Sequence, residues 1–313
     1  LSRNYKYLIG KDQNKIFNPE GSTRRIILAT NVAETSLTVP RIKFVIDSGL
    51  VRISRYSYRT KVQRLPIEKI SQASANQRAG RCGRLSAGVC VRLYSQEDFQ
   101  SRKEFTDPEI LRTNLASVIL QMLFLKLGSV QEFPFIDPPD FKFIKDGIKL
   151  LFELQAISKL NYNNPQITED GLKMAVMPLD PKLAKIVIEA HRQGCLKEAI
   201  LITSFLSIQD PRERPLNFQQ KSDTAHIVDK DKNSDFISIL NLANRVTADT
   251  KDLSNSQKKD YFRKNFINPV RFNEWNDIYR QIVETIHKFK WKLNNHNTQE
   301  IPDQVRNDNE RIS

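Results

Sequence analysis

The chain has 313 residues, 39% of them hydrophobic and 27% charged, with a formal net charge of +13 and a pI of about 9.6. That balance excludes a disordered polyelectrolyte, and no apolar run approaches the length of a membrane span. The excess of cations calls for a polyanionic partner, and the length predicts two or three domains.

The N-terminal residues 1–6 lead into no apolar signal core. Leu1 is not a start methionine, so a fragment or a processed product is expected. Residues 24–29 carry a short, continuous apolar run, Ile26-Ile27-Leu28-Ala29, and read as a buried strand. Thr30 and Asn31 come directly after it, where parallel sheets present ligand contacts beyond their carboxyl ends. Residues 43–46 read as a second strand, ended by the turn Asp47-Ser48-Gly49. Residues 51–71 read as an extended basic hairpin. From Val51 to Arg84 there are nine cationic side chains and one acidic one, Glu68, a local net charge of +8. Tyr56 and Tyr58 lie among Arg52, Arg55, Arg59, Lys61 and Arg64, so bases could stack while cations hold phosphates. A solvated ribbon with β-favouring tyrosines accounts for the same residues. Residues 88–94 read as a third strand. Strands alternating with helices predict a mostly parallel α/β sheet.

Near residues 101–107 the pattern changes. Thr106 or Asp107 can cap a helix with Pro108 in its first turn. Leu111, Leu115, Val118, Ile119, Met122 and Leu125 recur at helical spacing, and Gly128 closes the segment. A proline-rich loop over 134–139 precedes a second amphipathic helix bearing Ile144, Ile148, Leu151 and Leu154. A turn at 163–165 and a short extended piece come next. Asp180-Pro181 opens a helix that runs to Gly194, and residues 196–206 form another. Residues 221–235 are polar and charged and read as a flexible connector. Trp275, Ile278, Tyr279, Ile282, Val283, Ile286 and Phe289 trace one face of a further helix. Residues 294–313 are a polar tail without periodicity. The apolar stripes are read as core. Cys82, Cys90 and Cys195 are too few and too scattered for a disulfide framework or a zinc site, so reduced thiols and no metal site are expected, with Cys82 a space filler.

The segment richest in chemistry is Gln77-Arg78-Ala79-Gly80-Arg81-Cys82-Gly83-Arg84, read as a turn-rich helix start. On a helix Arg81 and Arg84 share a face. Fixed guanidinium groups can neutralise charge on a transferring phosphoryl group, and a glutamine can orient the attacking water. A solvated basic helix start touching RNA phosphate is the plainer reading of these eight residues.

Together with residues 29–38, Ala-Thr-Asn-Val-Ala-Glu-Thr-Ser-Leu-Thr, this segment resembles motifs V and VI of the DEAH-box helicases of superfamily 2. Residues 52–66 and 105–115 narrow the resemblance to the bacterial HrpA type, over roughly residues 1–286. It implies an α/β RecA-like second domain over 1–100, its parallel sheet incomplete at the N-terminus. It further implies a mostly α winged-helix domain over 101–176 and a helical-bundle, ratchet-like domain over 177–293. By resemblance Arg81 and Arg84 are arginine fingers and Gln77 places the attacking water. Phe17 matches the adenine-stacking aromatic. Ser36, Thr38 and Arg78 lie on the nucleotide side, with Arg78 possessing a structural alternative. Thr30 and Asn31 face the nucleic-acid backbone, as does the hairpin. An aspartate common in relatives two residues beyond Thr38 is here Pro40.

Neither G-x-x-x-x-G-K-[ST] nor D-E-x-H occurs in the chain. The groups that hold Mg²⁺ and the β- and γ-phosphates of ATP are therefore expected from a separate N-terminal RecA-like half. The implied setting is cytoplasmic, with single-stranded RNA as partner and no membrane. The chain alone is expected to bind RNA and not to turn over ATP; a non-catalytic RNA-binding module or a degenerate remnant is the alternative.

Overall fold

The computed structural model describes Phe17 and residues 25–36 and 38–293. The tail at 294–313 lies outside the described residues. The chain divides into two compact units, Leu1–Asn114 with Pro134–Phe143, and Leu115–Phe133 with Ile144–Ser313.

In the first unit a single helical turn, α1 (Val32–Thr35), precedes β1 (Phe44–Asp47). β1 pairs in parallel with β6 (Val89–Arg92), Phe44 opposite Val89 and Asp47 opposite Arg92. Between them the chain forms an antiparallel ribbon in two pieces. β2 (Leu50–Arg52) pairs with β5 (Ile67–Lys69), and β3 (Arg55–Ser57) with β4 (Val62–Arg64). Lys61 takes φ +52 at the turn of the ribbon. The basic hairpin is therefore present as read. Helix α2 (Gln72–Gly80) comes next, its first turn capped by the Ser71 side chain, which accepts the Ser74 N–H. α2 packs on β1, so Asp47 is buried while Phe44 and Ile46 on the opposite face are 72% and 73% exposed. α3 (Gln96–Ser101), capped by Ser95, closes the α/β part.

Three expectations in this unit need correction. Residues 25–29 are irregular, not a buried strand, with Ile26 and Leu28 both at least 80% exposed. An apolar run becomes a buried strand only where a ladder neighbour and a covered face await it. Among the described residues β1 has one strand neighbour, β6. Thr30 consequently succeeds no strand. The arginine segment is not a helix start: it ends α2. Ser71 supplies the cap that starts the helix, and residues 81–87 are irregular. Arg81 and Arg84 therefore do not share a helix face. Finally, neither Thr106 nor Asp107 caps a long helix. The Thr106 hydroxyl donates to Ser71, and Asp107 is taken by Arg55 and Lys103. Pro108 leads into one 3₁₀ turn, Glu109–Leu111, and the α-helix begins only at Ala116.

The second unit is helical. α4 (Ala116–Phe124) and α5 (Phe141–Glu153) carry the expected apolar faces, with Ile119, Ile148 and Leu151 fully buried. Gly147 on α5 is where the two helices touch: a Cβ there would stand 2.8 Å from Ile119 Cδ1. An isolated antiparallel bridge joins Ile157 to Ile167 ahead of α6 (Glu169–Val176). α7 (Pro181–Gln193) starts at the Asp180 cap and stops at Gly194, φ +76, as the sequence signals require. α8 (Leu196–Leu206), α9 (Gln219–His226), α10 (Asp235–Thr250), α11 (Asn255–Lys264) and α12 (Pro269–Lys288) complete the unit. Phe205, Ile239, Leu242, Val246, Phe262, Phe272 and Trp275 belong to one core cluster of it. The Trp275 indole N–H donates to Leu201 O and Ser204 Oγ, both at 3.0 Å, so even its polar atom is satisfied.

Residues 221–235 are not a flexible connector. They contain most of α9, a 3₁₀ turn at Ile227–Asp229 and an Asp231 side chain that accepts the N–H groups of Asn233 and Ser234. The Asp229 side chain is 2% exposed and takes two hydrogen bonds from Arg245 on α10, each 2.7 Å. Polar composition misleads here because the charge has a buried partner supplied from elsewhere.

Candidate functional site

The end of α2 and the short α1 meet through a set of charged groups. Arg78 Nε donates to Glu34 Oε2 at 3.0 Å, and its Nη1 donates to Asp47 Oδ1 at 2.8 Å and to Leu50 O at 3.1 Å. Its side chain is only 15% exposed. Arg81 donates to the Glu34 carbonyl oxygen, and Arg84 Nη1 donates to Thr38 Oγ1. The two segments that the sequence pattern pairs, residues 29–38 and 77–84, are thus joined directly. Cys82 is buried: its Sγ donates to Ala79 O, and a Cβ on Gly88, the residue before β6, would fall 2.3 Å from Cys82 O.

Asp47 organises this corner. Burial pushes its carboxyl up, but hydrogen bonds from Gly49 N–H, Arg78 and Tyr94, with the Arg78 charge, outweigh that and hold it below the usual carboxylate range. Its Oδ2 accepts from the Tyr94 hydroxyl at 2.8 Å. Burial and that same bond push the Tyr94 phenol up to about 12. Arg78 is raised in turn: burial opposes its charge, and the two carboxylates restore it.

The residues read as catalytic stand around this anchor. Gln77 and Arg84 are exposed, and Arg81 is half-buried. Thr30, Asn31 and Ser36 are exposed on and beside α1, and the Asn31 side chain makes no capping bond. Phe17 is helical and half-buried; the residues flanking it lie outside the described set. Arg84 is the exposed guanidinium past the end of the helix and can reach a polyphosphate, Arg81 beside it is half-buried on the Glu34 carbonyl, and Arg78 is spent inside the fold.

On the hairpin, Arg55 is likewise committed. It forms a fork on Glu68 (2.8 and 2.8 Å) and a bond to Asp107 (2.9 Å). The Arg55 hydrogen bond lowers the Glu68 pKa against a smaller opposing effect of burial. Tyr56 is half-buried, and its N–H donates to Arg112 O at 2.8 Å. Tyr58 packs edge-on against Phe143 at 6.0 Å, with the Arg59 guanidinium 5.8 Å from its ring centroid. Arg52, Arg59, Lys61 and Arg64 are exposed along the ribbon. Sequence reasoning missed Glu34, Asp47 and Tyr94. Asp47 reads only as a turn signal, and nothing in the local pattern shows that its carboxylate faces inward. Among the described residues no group of three or more His, Cys, Asp or Glu could hold a metal ion, and no helix is long and apolar enough to cross a membrane.

Known proteins resemble this chain in sequence. The family described as "Helicase conserved C-terminal domain" matches residues 10–86, and "Helicase associated domain (HA2), ratchet-like" matches residues 180–268. The chain is 56% identical over 290 residues to an ATP-dependent RNA helicase HrpA homolog of Haemophilus influenzae, covering 92% of this chain and 22% of that protein. It is 56% identical over 283 residues to the ATP-dependent RNA helicase HrpA of Escherichia coli, again covering 22% of the relative. A probable ATP-dependent RNA helicase of Saccharomyces cerevisiae, DHR1, is 41% identical over 210 residues. The chain matches one part of an HrpA-type helicase. The family is one of enzymes, and the chain spans about a fifth of the length of these HrpA relatives. Its small parallel sheet and its helical unit are the RecA-like and helical parts expected of an HrpA-type sequence.

Proposed function

We propose that the chain supplies one side of an ATP site and one wall of an RNA channel. Arg81 and Arg84 serve as arginine fingers toward the γ-phosphate, and Gln77 orients the water that attacks phosphorus as the bond to ADP breaks. The observation that carries this reading is the anchored end of α2. Arg78 is fixed by Glu34 and Asp47, and within the next six residues Arg81 meets the Glu34 carbonyl and Arg84 meets Thr38. Ser36 and Thr38 lie at the nucleotide side and Phe17 at the adenine. Thr30, Asn31 and the exposed cations Arg52, Arg59, Lys61 and Arg64 line the RNA path, with Tyr58 offering a ring edge. Arg55 and Tyr56 shape the ribbon from within. Gripping a phosphate backbone predicts low sequence specificity and a steep salt dependence.

The donor set of this chain fits the phosphates of ATP and does not fit Mg²⁺, since its described acids form no cluster for a cation. The metal site and the phosphate loop are assigned to an N-terminal RecA-like half. On this reading the chain alone does not turn over ATP. Residues 101–176 are assigned to a winged-helix domain, with the Ile157–Ile167 bridge as its remnant of sheet, residues 177–293 to a ratchet-like domain, and the setting to the cytoplasm.

The test is RNA-stimulated phosphate release from the chain alone and mixed with the N-terminal RecA-like half of an HrpA-type relative. Mixing should restore turnover, and Arg81→Ala should remove it by a factor on the order of 10³. RNA binding without restored turnover would leave a non-catalytic RNA-binding module. Robust turnover by the chain alone would refute the half-site reading.

A further inference from the structure

We propose that Asp47 is the positioning residue of the arginine segment: its buried carboxylate, shared between Arg78 and the Tyr94 hydroxyl, sets where the end of α2 releases Arg81 and Arg84. The proposal rests on the reading of those arginines given above and adds residues outside both motif segments.

Three donors converge on the Asp47 carboxylate. Oδ1 receives Arg78 Nη1 at 2.8 Å and Gly49 N–H at 2.9 Å, and Oδ2 receives Tyr94 at 2.8 Å. The side chain has no exposed surface. The surroundings are built to keep it so. A Cβ on Gly49, which sits at φ +72, would stand 2.6 Å from Tyr94 Cδ1, so the tyrosine ring occupies space that only glycine leaves. The Arg102 guanidinium covers that ring, its Cζ 3.8 Å from the centroid, and is itself fixed to Gly49 O and Asp98. Tyr94 is thus packed against Gly49 and Arg102 as it donates to Asp47.

The other end of the relay is Arg78, three residues before Arg81. Gly80 and Gly83 are not locked by close packing over their Cα atoms: a Cβ on Gly80 would meet nothing within 4 Å, and one on Gly83 only Gly80 O at 3.8 Å. Three backbone turn bonds hold the segment locally, from the N–H groups of Arg81, Cys82 and Gly83 to the carbonyls of Arg78, Ala79 and Gly80, and its ties to the rest of the fold include the Arg78 guanidinium, the buried Cys82, and the bonds of Arg81 and Arg84 to residues 34 and 38. Of these, the Arg78 anchor reaches the strands through charged and carbonyl hydrogen bonds, to Asp47 and Leu50. A charged hydrogen bond to a desolvated carboxylate is also the strongest kind available there. Removing the charge from Asp47 leaves Arg78 half-paired and allows the helix end to shift. A displacement of about 1 Å is enough to cost a positioned group much of its effect.

Two measurements separate the proposal from the reading beneath it. The first is amide hydrogen exchange on the chain alone, comparing wild type, Asp47→Asn and Tyr94→Phe. Exchange across residues 78–84 should accelerate in both variants, more in Asp47→Asn, while α7 and α10 remain unchanged. The second is turnover in the mixture. Asp47→Asn should lower kcat by at least about tenfold, the loss expected when a charged hydrogen bond is weakened, with KM for ATP and RNA affinity little changed. Asp47→Glu should recover part of the loss. Unchanged exchange at 78–84 in Asp47→Asn overturns the proposal, as does an unchanged kcat where Arg81→Ala inactivates. Accelerated exchange together with an inert Arg81→Ala would uphold the anchor and sink the finger assignment.

Discussion

Arg245→Met tests whether residues 221–235 are structure or linker. Arg245 reaches from α10 to Asp229 with two 2.7 Å bonds, and its Nη1 also binds the Tyr261 hydroxyl at 2.8 Å. The two side chains are 18% and 2% exposed, so solvent screens the pair little. Replacing arginine by methionine keeps the aliphatic bulk and strands the Asp229 carboxylate. Leaving one member of a buried pair uncompensated costs about 3–5 kcal/mol. Asp229→Asn is milder, because the amide oxygen still accepts from Arg245 and the guanidinium keeps Tyr261 and Asn265, so about 2 kcal/mol is expected. For a unit of this size each kcal/mol lowers Tm by roughly 2–4 °C. Both tryptophans, Trp275 and Trp291, lie in the helical unit, so urea and thermal unfolding followed by tryptophan emission report on that unit alone. Losses below about 0.5 kcal/mol for both variants would mark an ordinary surface site and return the segment to a solvated linker.

Trp275→Phe should destabilise the same unit by about 1–3 kcal/mol in that assay, through two lost indole bonds and a partly filled cavity. An unchanged midpoint would mean that Leu201 O and Ser204 Oγ do not need the donor. At the base of the hairpin, the Arg55 bond holds Glu68 below the usual carboxylate range, and Lys103 with Arg55 holds Asp107 there, each against burial. A depressed carboxyl contributes stability that is present above its unfolded value and is lost as pH falls through the folded one. Protection of the Tyr56 amide from exchange should therefore be flat near neutrality and fall below about pH 4, and Arg55→Gln should lower the plateau and flatten the dependence. Wild-type protection that survives to about pH 2 would refute the role of these pairs.

What can be read from the sequence is what neighbouring residues decide. Asp180, Pro181 and Gly194 bracket α7 because caps act within one turn, and the structure stops the helix at those residues. The hairpin is legible because strand alternation and its turn are local. The joining of residues 29–38 to 77–84 is legible only through resemblance. Its physical basis, Glu34 meeting Arg78 across 44 positions and Asp47 meeting it across 31, has no local signature. The same limit explains the failures. The apolar run at 26–29 describes a strand that lacks its neighbour, and the charges of 221–235 look solvated until Arg245 arrives from α10. The arginine segment reads as the wrong end of its helix because two glycines and three arginines signal an irregular backbone without direction. Ser71, the cap that sets direction, stands six residues before Gln77 and outside the segment.

The bare side of the β1–β6 pair bears on any experiment that varies ionic conditions. Phe44, Ile46, Val89 and Val91 project from it, with 48–73% of each in water. Electrolyte weakens phosphate contacts through screening and counterion release, but strongly hydrated anions such as sulfate also drive such faces together. One titrant thus pulls in two directions, freeing nucleic acid while promoting clumping of protein. Chloride separates the two effects better than sulfate, and light scattering recorded beside each point distinguishes true release from loss of soluble material.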